Sequence, residues 1–391
     1  MKLFRKTPRF GIGGFTLVEM LVSVSVLSLI MVVLVSMTNQ ISQTWRSTTG
    51  KIEQFQQARE GFESMTRKLS QATLNTFWDL YYVDVGGRKT PRDFIRQSQL
   101  RFISGPMAKL APNSRRPTHG VFFQAPLGFV DDSQKLGNME NLLNTWGYFI
   151  EVGDDSDTRP DFLGTRVPAR WRSRLMEVMQ PTESLSVYDL DQKGAEQPVA
   201  GDQLRWFRTA LAGPKRPVRP IAENIVALIV WPKLSKQEED IRRDDGKSVL
   251  APNYVYDSSL LSYKSSRFGS VVSPIYLNEG AKLVSASNLQ EAAEINPKNQ
   301  LPPVVQVTMV ALDELSASRF KDLKGNDASL DLVKGLFEIG CVFGTRANAE
   351  TQYEKDLKEM EKRMIEAKLT YRIFTTNVSI RGAKWSASQT K

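Results

Sequence analysis

The chain has 391 residues, of which 41% are hydrophobic and 24% charged, with one cysteine and one histidine. That length is ample for a buried core, the composition excludes a disordered or low-complexity chain, and the lone Cys341 excludes an internal disulfide. The net charge of +9 is no sign of nucleic-acid binding, because Lys2, Arg5, Lys6 and Arg9 supply four of those charges in an acid-free leader, leaving +5 from Phe15 onward.

Behind the leader, Gly14 to Met37 reads GFTLVEMLVSVSVLSLIMVVLVSM. Residues 15–37 hold one charge, Glu19, and as a helix they extend roughly 35 Å, enough to cross a hydrocarbon core of about 30 Å. The run is too long for the apolar region of a secretory signal and lacks a small-residue cleavage site at its end, so ordinary signal cleavage is not expected. The leader's positive charges predict a cytoplasmic N-terminus and a large C-terminal part outside. An acid at the centre of a membrane helix costs on the order of 2.5 to 3.5 kcal/mol, less near an end, so Glu19 calls for a partner. A cut after Gly14 would supply one, because the new amine of Phe15 lies one helical turn away.

The run G-F-T-L-V-E before a long apolar stretch resembles the class III signal of type IV prepilins and pseudopilins. The resemblance implies that prepilin peptidase, a membrane aspartyl enzyme, cuts after Gly14 and that Phe15 becomes the N-methylated first residue. It also implies that Glu19 is the assembly carboxylate, pairing with the N-terminal amine of a neighbouring subunit. The implied partners are prepilin peptidase, other pilin or pseudopilin subunits, an inner-membrane assembly platform and membrane lipid; from the residues themselves no cofactor and no metal is expected. Many pilins carry a proline within this helix where the present chain has Ser36.

The helical pattern continues past the membrane. Ile52, Phe55, Ala58, Phe62, Met65, Leu69 and Ala72 recur at spacings of three and four, with Lys51, Glu53, Arg59, Glu63 and Lys68 off the stripe, which predicts an amphipathic helix over 38–76 packed on a sheet. Ser47, Thr48, Thr49 and Gly50 are weak helix formers and predict a kink or short break. Beyond them, short apolar or alternating runs predict antiparallel strands at Leu100–Ile103, Val121–Gln124, Tyr148–Val152, Leu175–Met179, Ile225–Trp231, Val304–Val310, Phe337–Phe343 and Tyr371–Ile380. The near-continuous ENIVALIVWPKL reads as a central strand ended by Pro232. Residues 153–220 and 233–303 read as insertions forming distal loops or small subdomains. Gln352–Lys368 reads as a charged amphipathic helix with a Tyr353, Leu357, Met360, Met364 stripe and i,i+4 pairs Glu354–Lys358 and Glu359–Arg363. The expected fold is therefore α+β and pilin-like: a leader over 1–14, a membrane helix over 15–37, its amphipathic continuation, and an antiparallel β-rich domain over 77–391.

The chemistry-bearing residues are sparse. His119 has no second histidine and no cysteine pair beside it, so a zinc site would rest almost wholly on carboxylates, and it reads as a turn or strand-edge residue. Asp154, Asp155, Asp157 and Asp161 lack EF-hand spacing and are interrupted by Arg159 and Pro160, which favours a solvated turn over calcium. The carboxylate pairs Asp131–Asp132 and Asp244–Asp245 fall in expected turns. Cys341, inside GLFEIGCVFG, reads as a buried small hydrophobe. The basic clusters Arg115–Arg116 and Lys215, Arg216, Arg219 read as solvated loops, with DNA as the alternative. No G-x-S-x-G, Walker A, G-x-G-x-x-G or Cys-His constellation occurs, and an enzyme is not expected.

At finer grain, the late P-x-V-x-V strand resembles the J-type minor pseudopilin of type II secretion. FQQAREGFESMTRKLSQATLNTFWDLYY, RLMEVMQPTESLSVYD, ENIVALIVWPK and TTNVSIRGAKWS resemble the prepilin-type Verru/Chthon cassette protein C family. These resemblances imply a minor structural subunit of a type II secretion pseudopilus or type IV pilus-like filament, held in the inner membrane with its β domain in the periplasm. Two alternatives stay open: a single-pass anchored binding module that never polymerises, and a filament-tip adhesin or DNA-binding minor pilin.

Overall fold

The computed structural model describes residues 16–137, 139, 141–156, 169–185, 187, 204–212, 216–235, 250–251, 254–258, 299–338 and 346–383. It divides into two units, Met1–Glu53 and Gln54–Lys391. The helix α1 (Leu17–Leu69) is continuous in backbone assignment through Ser47–Gly50, so the break expected there does not occur. The deficit of each weak former is under about 1 kcal/mol, and propagation from long helical runs on both sides outweighs it.

In the first unit, Leu17–Trp45 is long and apolar enough to cross a membrane, and its described side chains are exposed. The hydroxyls of Ser23, Ser25, Ser28 and Thr38 donate to the carbonyls of Glu19, Leu21, Val24 and Leu34 at 2.7 to 2.8 Å. These four hydroxyls are thus satisfied within the helix, as hydrocarbon requires.

The second unit holds the rest of α1 and eleven strands among the described residues. The strands are β1 (Phe77–Val85), β2 (Arg88–Gln97), β3 (Ile103–Pro106), β4 (His119–Pro126), β5 (Leu143–Gly153), β6 (Arg172–Gln180), β7 (Val218–Glu223), β8 (Ile225–Lys233), β9 (Tyr256–Asp257), β10 (Val304–Leu312) and β11 (Tyr371–Ser379). Six further helices are α2 (Met107–Leu110), α3 (Ser133–Leu136), α4 (Arg205–Leu211), α5 (Glu314–Lys324), α6 (Ala328–Val333) and α7 (Arg346–Glu366). All pairings are antiparallel. They build a six-stranded sheet in the order β7-β6-β5-β4-β3-β9, a three-stranded sheet β11-β10-β8, and the separate hairpin β1-β2. The protein is α+β, a long N-terminal apolar helix followed by antiparallel sheets.

Period-two alternation sends neighbouring residues of the larger sheet into different cores. Val121, Phe123, Tyr148, Ile150 and Leu175 enter a core shared with Ala58, Phe62, Met65 and Leu69 of α1 and with β8 and β10. Phe122, Phe149, Met176 and Val178 face the other way, against Met107, Leu110, Trp206 and Phe207 of α2 and α4. The Phe122 ring stacks on Phe207 at 4.2 Å between centroids, and it fits because Gly147 lies beneath it: a Cβ there would stand 2.2 Å from Phe122 Cδ1. The expected stripe of α1 is buried as read from Ala58 to Ala72, although the helix stops at Leu69. There the chain turns and Thr73 N–H donates to Gln124 O of β4 at 2.9 Å.

Several expectations differ from the structure. Within the expected insertion 153–220 the strand read at Leu175–Met179 is present as Arg172–Gln180, but it belongs to the larger sheet, and Val218–Glu223, which begins inside that insertion, is a further strand beside it; Tyr256–Asp257, inside 233–303, pairs with β3. No strand starts at Phe337, whose φ of 59° is left-handed and whose N–H is held by Asp356 at 2.9 Å; Cys341 lies outside the described residues. The strand β8 runs through Pro232 instead of stopping before it, and it is an edge strand of its own sheet, buried because β3, β4, β5, β6 and α6 lie against it. Leu228 and Val230 turn their N–H groups away from β10, and Pro232 has the same parity, so its missing donor interrupts no ladder bond.

Those two donors are met by side chains. Leu228 N–H donates to Thr118 Oγ1 at 3.2 Å and Val230 N–H to His119 Nδ1 at 3.0 Å. His119 Nε2–H in turn donates to Phe337 O at 2.7 Å. His119 stands at the first position of β4, the strand edge expected, but there it is a fully buried joint between the two sheets, and burial drives its pKa down to about 4 against an ordinary 6.5. Below pH 6.5 the unfolded chain takes up a proton that the folded chain refuses, so stability is whole above 6.5 and falls as pH drops towards 4, by up to about 3 kcal/mol. Denaturant unfolding of the detergent-solubilised chain at pH 7 and pH 4.5 should show this loss, and His119→Gln should flatten it relative to wild type.

Candidate functional site

The N-terminal site begins where α1 begins. Gly14 and Phe15 lie outside the described residues, and the site is visible from Thr16 onward. Thr16 occupies the N-cap position and Glu19 the third helical position, a T-x-x-E spacing in which each side chain reaches the other's backbone N–H. Thr16 N–H and Thr16 Oγ1–H both donate to Glu19 Oε2 at 3.0 Å, and Glu19 N–H donates to Thr16 Oγ1 at 3.3 Å. Glu19 is exposed at the apolar end of the helix, where a carboxylate also complements the positive end of the helix dipole. Both bonds fall on Oε2, and among the described residues none falls on Oε1. Reading the acid alone misses Thr16; the signal that finds it is the three-residue spacing that precedes an apolar run.

The remaining sequence candidates are drawn into structural roles. Arg116 and Arg216, expected in solvated loops, both grip Glu151: Arg116 Nε at 3.0 Å and Arg216 at 2.8 and 2.5 Å. Burial pushes the Glu151 carboxyl up, but the bonds from Arg216 and Arg116 outweigh it and hold the pKa below the ordinary value. Arg219 Nη2 reaches the buried Glu177 at 2.6 Å, joined there by Lys68 Nζ of α1 at 2.6 Å and the Tyr148 hydroxyl at 2.7 Å. Burial first, and the neighbouring Glu177 charge second, raise the Tyr148 pKa well above 10, so the hydroxyl stays a donor. Arg115 packs over the Trp171 ring at 4.9 Å. These cations satisfy buried acids and an aromatic face; the sequence could not show this because their partners lie far away along the chain.

Asp154 and Asp155 accept backbone N–H bonds from Ser156 at 3.1 Å and Arg170 at 2.9 Å, in keeping with a turn, while Asp157 and Asp161 lie outside the described residues. No group of three or more potential metal ligands is gathered among the described residues. Asp131 and Asp132 offer their N–H groups to the Glu183 carboxylate, and Asp244 and Asp245 lie outside the described residues. A cavity of about 360 Å³ lies beside Arg172, Asn224, Glu314 and Lys321. Its central carboxylate, Glu314, is committed to both Arg172 nitrogens at 2.5 Å and to Asn224 at 2.7 Å. The cavity wall is therefore an internal ion pair.

The apolar helix and the antiparallel domain behind it define a membrane-anchored α+β protein. Its N-terminal segment can be specified further: a family profile described as the prokaryotic N-terminal methylation motif matches residues 9–35. That motif is a prepilin-type signal, the mark of proteins processed by prepilin peptidase and assembled with other pilins in pilus or pseudopilus systems. No curated protein and no solved structure matches the chain.

The capping geometry makes Thr16 testable. Thr16→Val should weaken the helix end by about 1 kcal/mol, a roughly fivefold rise in amide exchange at Glu19 and Met20 in micelles, whereas Thr16→Ser should keep the wild-type rate.

Proposed function

We propose that the chain is a minor structural subunit, not an enzyme, of a type II secretion pseudopilus or type IV pilus-like filament. Prepilin peptidase cuts between Gly14 and Phe15, Phe15 is N-methylated, and an inner-membrane assembly platform inserts the subunit among other pilins. The leader stays on the cytoplasmic side and the β domain projects into the periplasm. The observation that carries this reading is the coincidence of the methylation motif over residues 9–35 with a span whose described portion, Leu17–Trp45, has one acid near its start. In a dry helix bundle an unpaired carboxylate is strongly unfavourable, so pairing of Glu19 with the Phe15 amine of a neighbour selects the inserted register. The Thr16 cap uses Oε2, which leaves Oε1 for that pairing and supports the reading. The quoted stretches that resemble the Verru/Chthon cassette protein C family support that family as the chain's kin.

One observation favours a second reading, a single-pass anchored binding module. Glu19 already has a local partner in Thr16, and a capping role alone would explain an acid at that position. The two readings part on a pair of measurements in the native host. Under the filament reading, the N-terminal peptide of the membrane fraction begins at Phe15 with the mass of one added methyl group. Glu19→Ala is then still cleaved but is lost from sheared or purified filaments. An intact leader, or wild-type incorporation of Glu19→Ala, would overturn the assembly role and leave the anchor.

A further inference from the structure

We infer that the cavity at the seam between the two sheets is a binding site for a carboxylate-bearing saccharide. The inference goes beyond the filament reading and does not depend on it. The cavity, of about 360 Å³, falls within the roughly 300 to 1,000 Å³ of small-ligand sites. It lies where β6 begins, where β7 turns into β8, and where β10 passes into α5 and α6. One face of α5 forms its wall. Asp313 caps that helix by accepting the Ser316 N–H at 3.4 Å, and Ser316 and Phe320 are buried on the inner side. Glu314, Ala317, Ser318 and Lys321 recur at spacings of three and four along the side that lines the cavity. The hollow exists because the side chains around it are small: Ala317 and Ser318 on α5, Ala328 and Ser329 on α6.

The floor of the cavity is fixed and already satisfied. Asn224, in the left-handed region at φ 56°, accepts from Arg172 at 3.3 Å and donates to Glu314 at 2.7 Å. Ser318 Oγ donates to the same Glu314 carboxylate at 3.3 Å. These bonds hold the walls apart and ask for no further partner, so the groups above them choose the ligand. Lys321 is half-buried in the wall, and among the described residues no acid and no hydrogen-bond acceptor meets its ammonium. A desolvated cation without a counter-ion favours an anionic group in the space beside it. Asp322 and Asn326 stand exposed at the mouth and Ser329 is half-buried. Carboxylate, amide and hydroxyl groups set close together match a ligand that carries several hydroxyls, whereas an apolar ligand would leave them unpaired. Trp171 lines the same cavity, with Arg115 seated 4.9 Å from its ring, and offers an aromatic surface of the kind that packs on the C–H face of a sugar. Hydroxyls, one carboxylate and a C–H face together describe an acidic sugar.

The test uses the full-length chain in a detergent whose headgroup is not a sugar. Short oligomers of galacturonate, glucuronate and mannuronate are titrated by calorimetry, beside the neutral oligomers of galactose, glucose and mannose. The expected result is binding of at least one uronate, about tenfold tighter than its neutral counterpart. Lys321→Met removes the charge and keeps the stem, and should weaken that binding about tenfold with the unfolding midpoint unchanged. Ser329→Trp should fill the hollow and abolish it, and Asn326→Ala, at an exposed position, should weaken it several-fold. Failure of all three uronates to bind, equal binding of the neutral oligomers, or indifference to both Lys321→Met and Asn326→Ala would each overturn the site. None of these outcomes touches the filament reading, which is judged by the N-terminal peptide and by incorporation.

Discussion

The constraint on which the β domain depends is that β8 is buried on every side while pairing along one edge only. Nine residues from Ile225 to Lys233 include seven consecutive apolar side chains, and burying them contributes on the order of 1.5 to 3 kcal/mol for each large one. The cost is a row of backbone donors facing the larger sheet without a strand to receive them. Thr118 and His119, at the mouth of β4, receive two of these, so the seam between the sheets is closed by side chains in place of a ladder. The neutral imidazole is suited to this task because it accepts on one nitrogen and donates on the other, linking β8 to Phe337 through a single ring. Charge would remove the acceptor, which is why the joint and the low proton affinity are two aspects of one arrangement.

The same economy runs through the polar interior. Glu177, Glu151 and Glu314 each lie within or against the antiparallel framework, and each is met by cations from distant segments: Lys68 and Arg219, Arg116 and Arg216, and Arg172. A buried carboxylate without such partners would be strongly unfavourable, so these contacts restrict how α1, β5, β6, β7 and α5 can be assembled. The Lys68 contact, reinforced by the Trp146 ring at 3.8 Å, fixes the last turn of α1 against the larger sheet. Basic residues that look like a surface patch along the sequence thus become part of the domain's internal neutralisation.

How much of this was legible in the sequence divides by the range of the interaction. The membrane segment and β8 follow from unbroken apolar runs, and the α1 stripe and β10 from local periodicity, because one buried face repeats at a fixed spacing. The Glu359–Arg363 pair of α7 likewise follows from its i,i+4 spacing. Strands β7 and β9 were hidden because one carries Pro220 and the other is two residues long. The hairpin was hidden because its two runs, FWDLYYVDV and RKTPRDFIRQ, lack a clean apolar alternation and the second carries Pro91, although Gly86–Gly87 between them was a usable signal. At the N-terminus, Glu19 stood out as an intramembrane acid, whereas Thr16 required the acid to be read as part of a cap. The burial of His119 and the ion pairs of Glu151 and Glu177 rest on contacts between segments far apart in sequence, which no local spacing encodes.

The strand β11 and the residues just after it are tied to α1, and this sets an order of events. Arg381 N–H donates to Ser70 O, Phe374 of β11 lies 5.9 Å from Phe62, and β11 completes the smaller sheet. During synthesis the apolar face of α1 emerges early, while part of its covering is made by β11, which follows it by most of the β domain. Contacts of such sequence separation form slowly, since loop closure precedes their reward. A nascent chain already held by its first helix would therefore wait, with Phe62 and Met65 uncovered, until β11 arrives. The interval exposes it to holding factors or to misassociation, and makes C-terminal truncation far more damaging than the small size of the lost strand suggests.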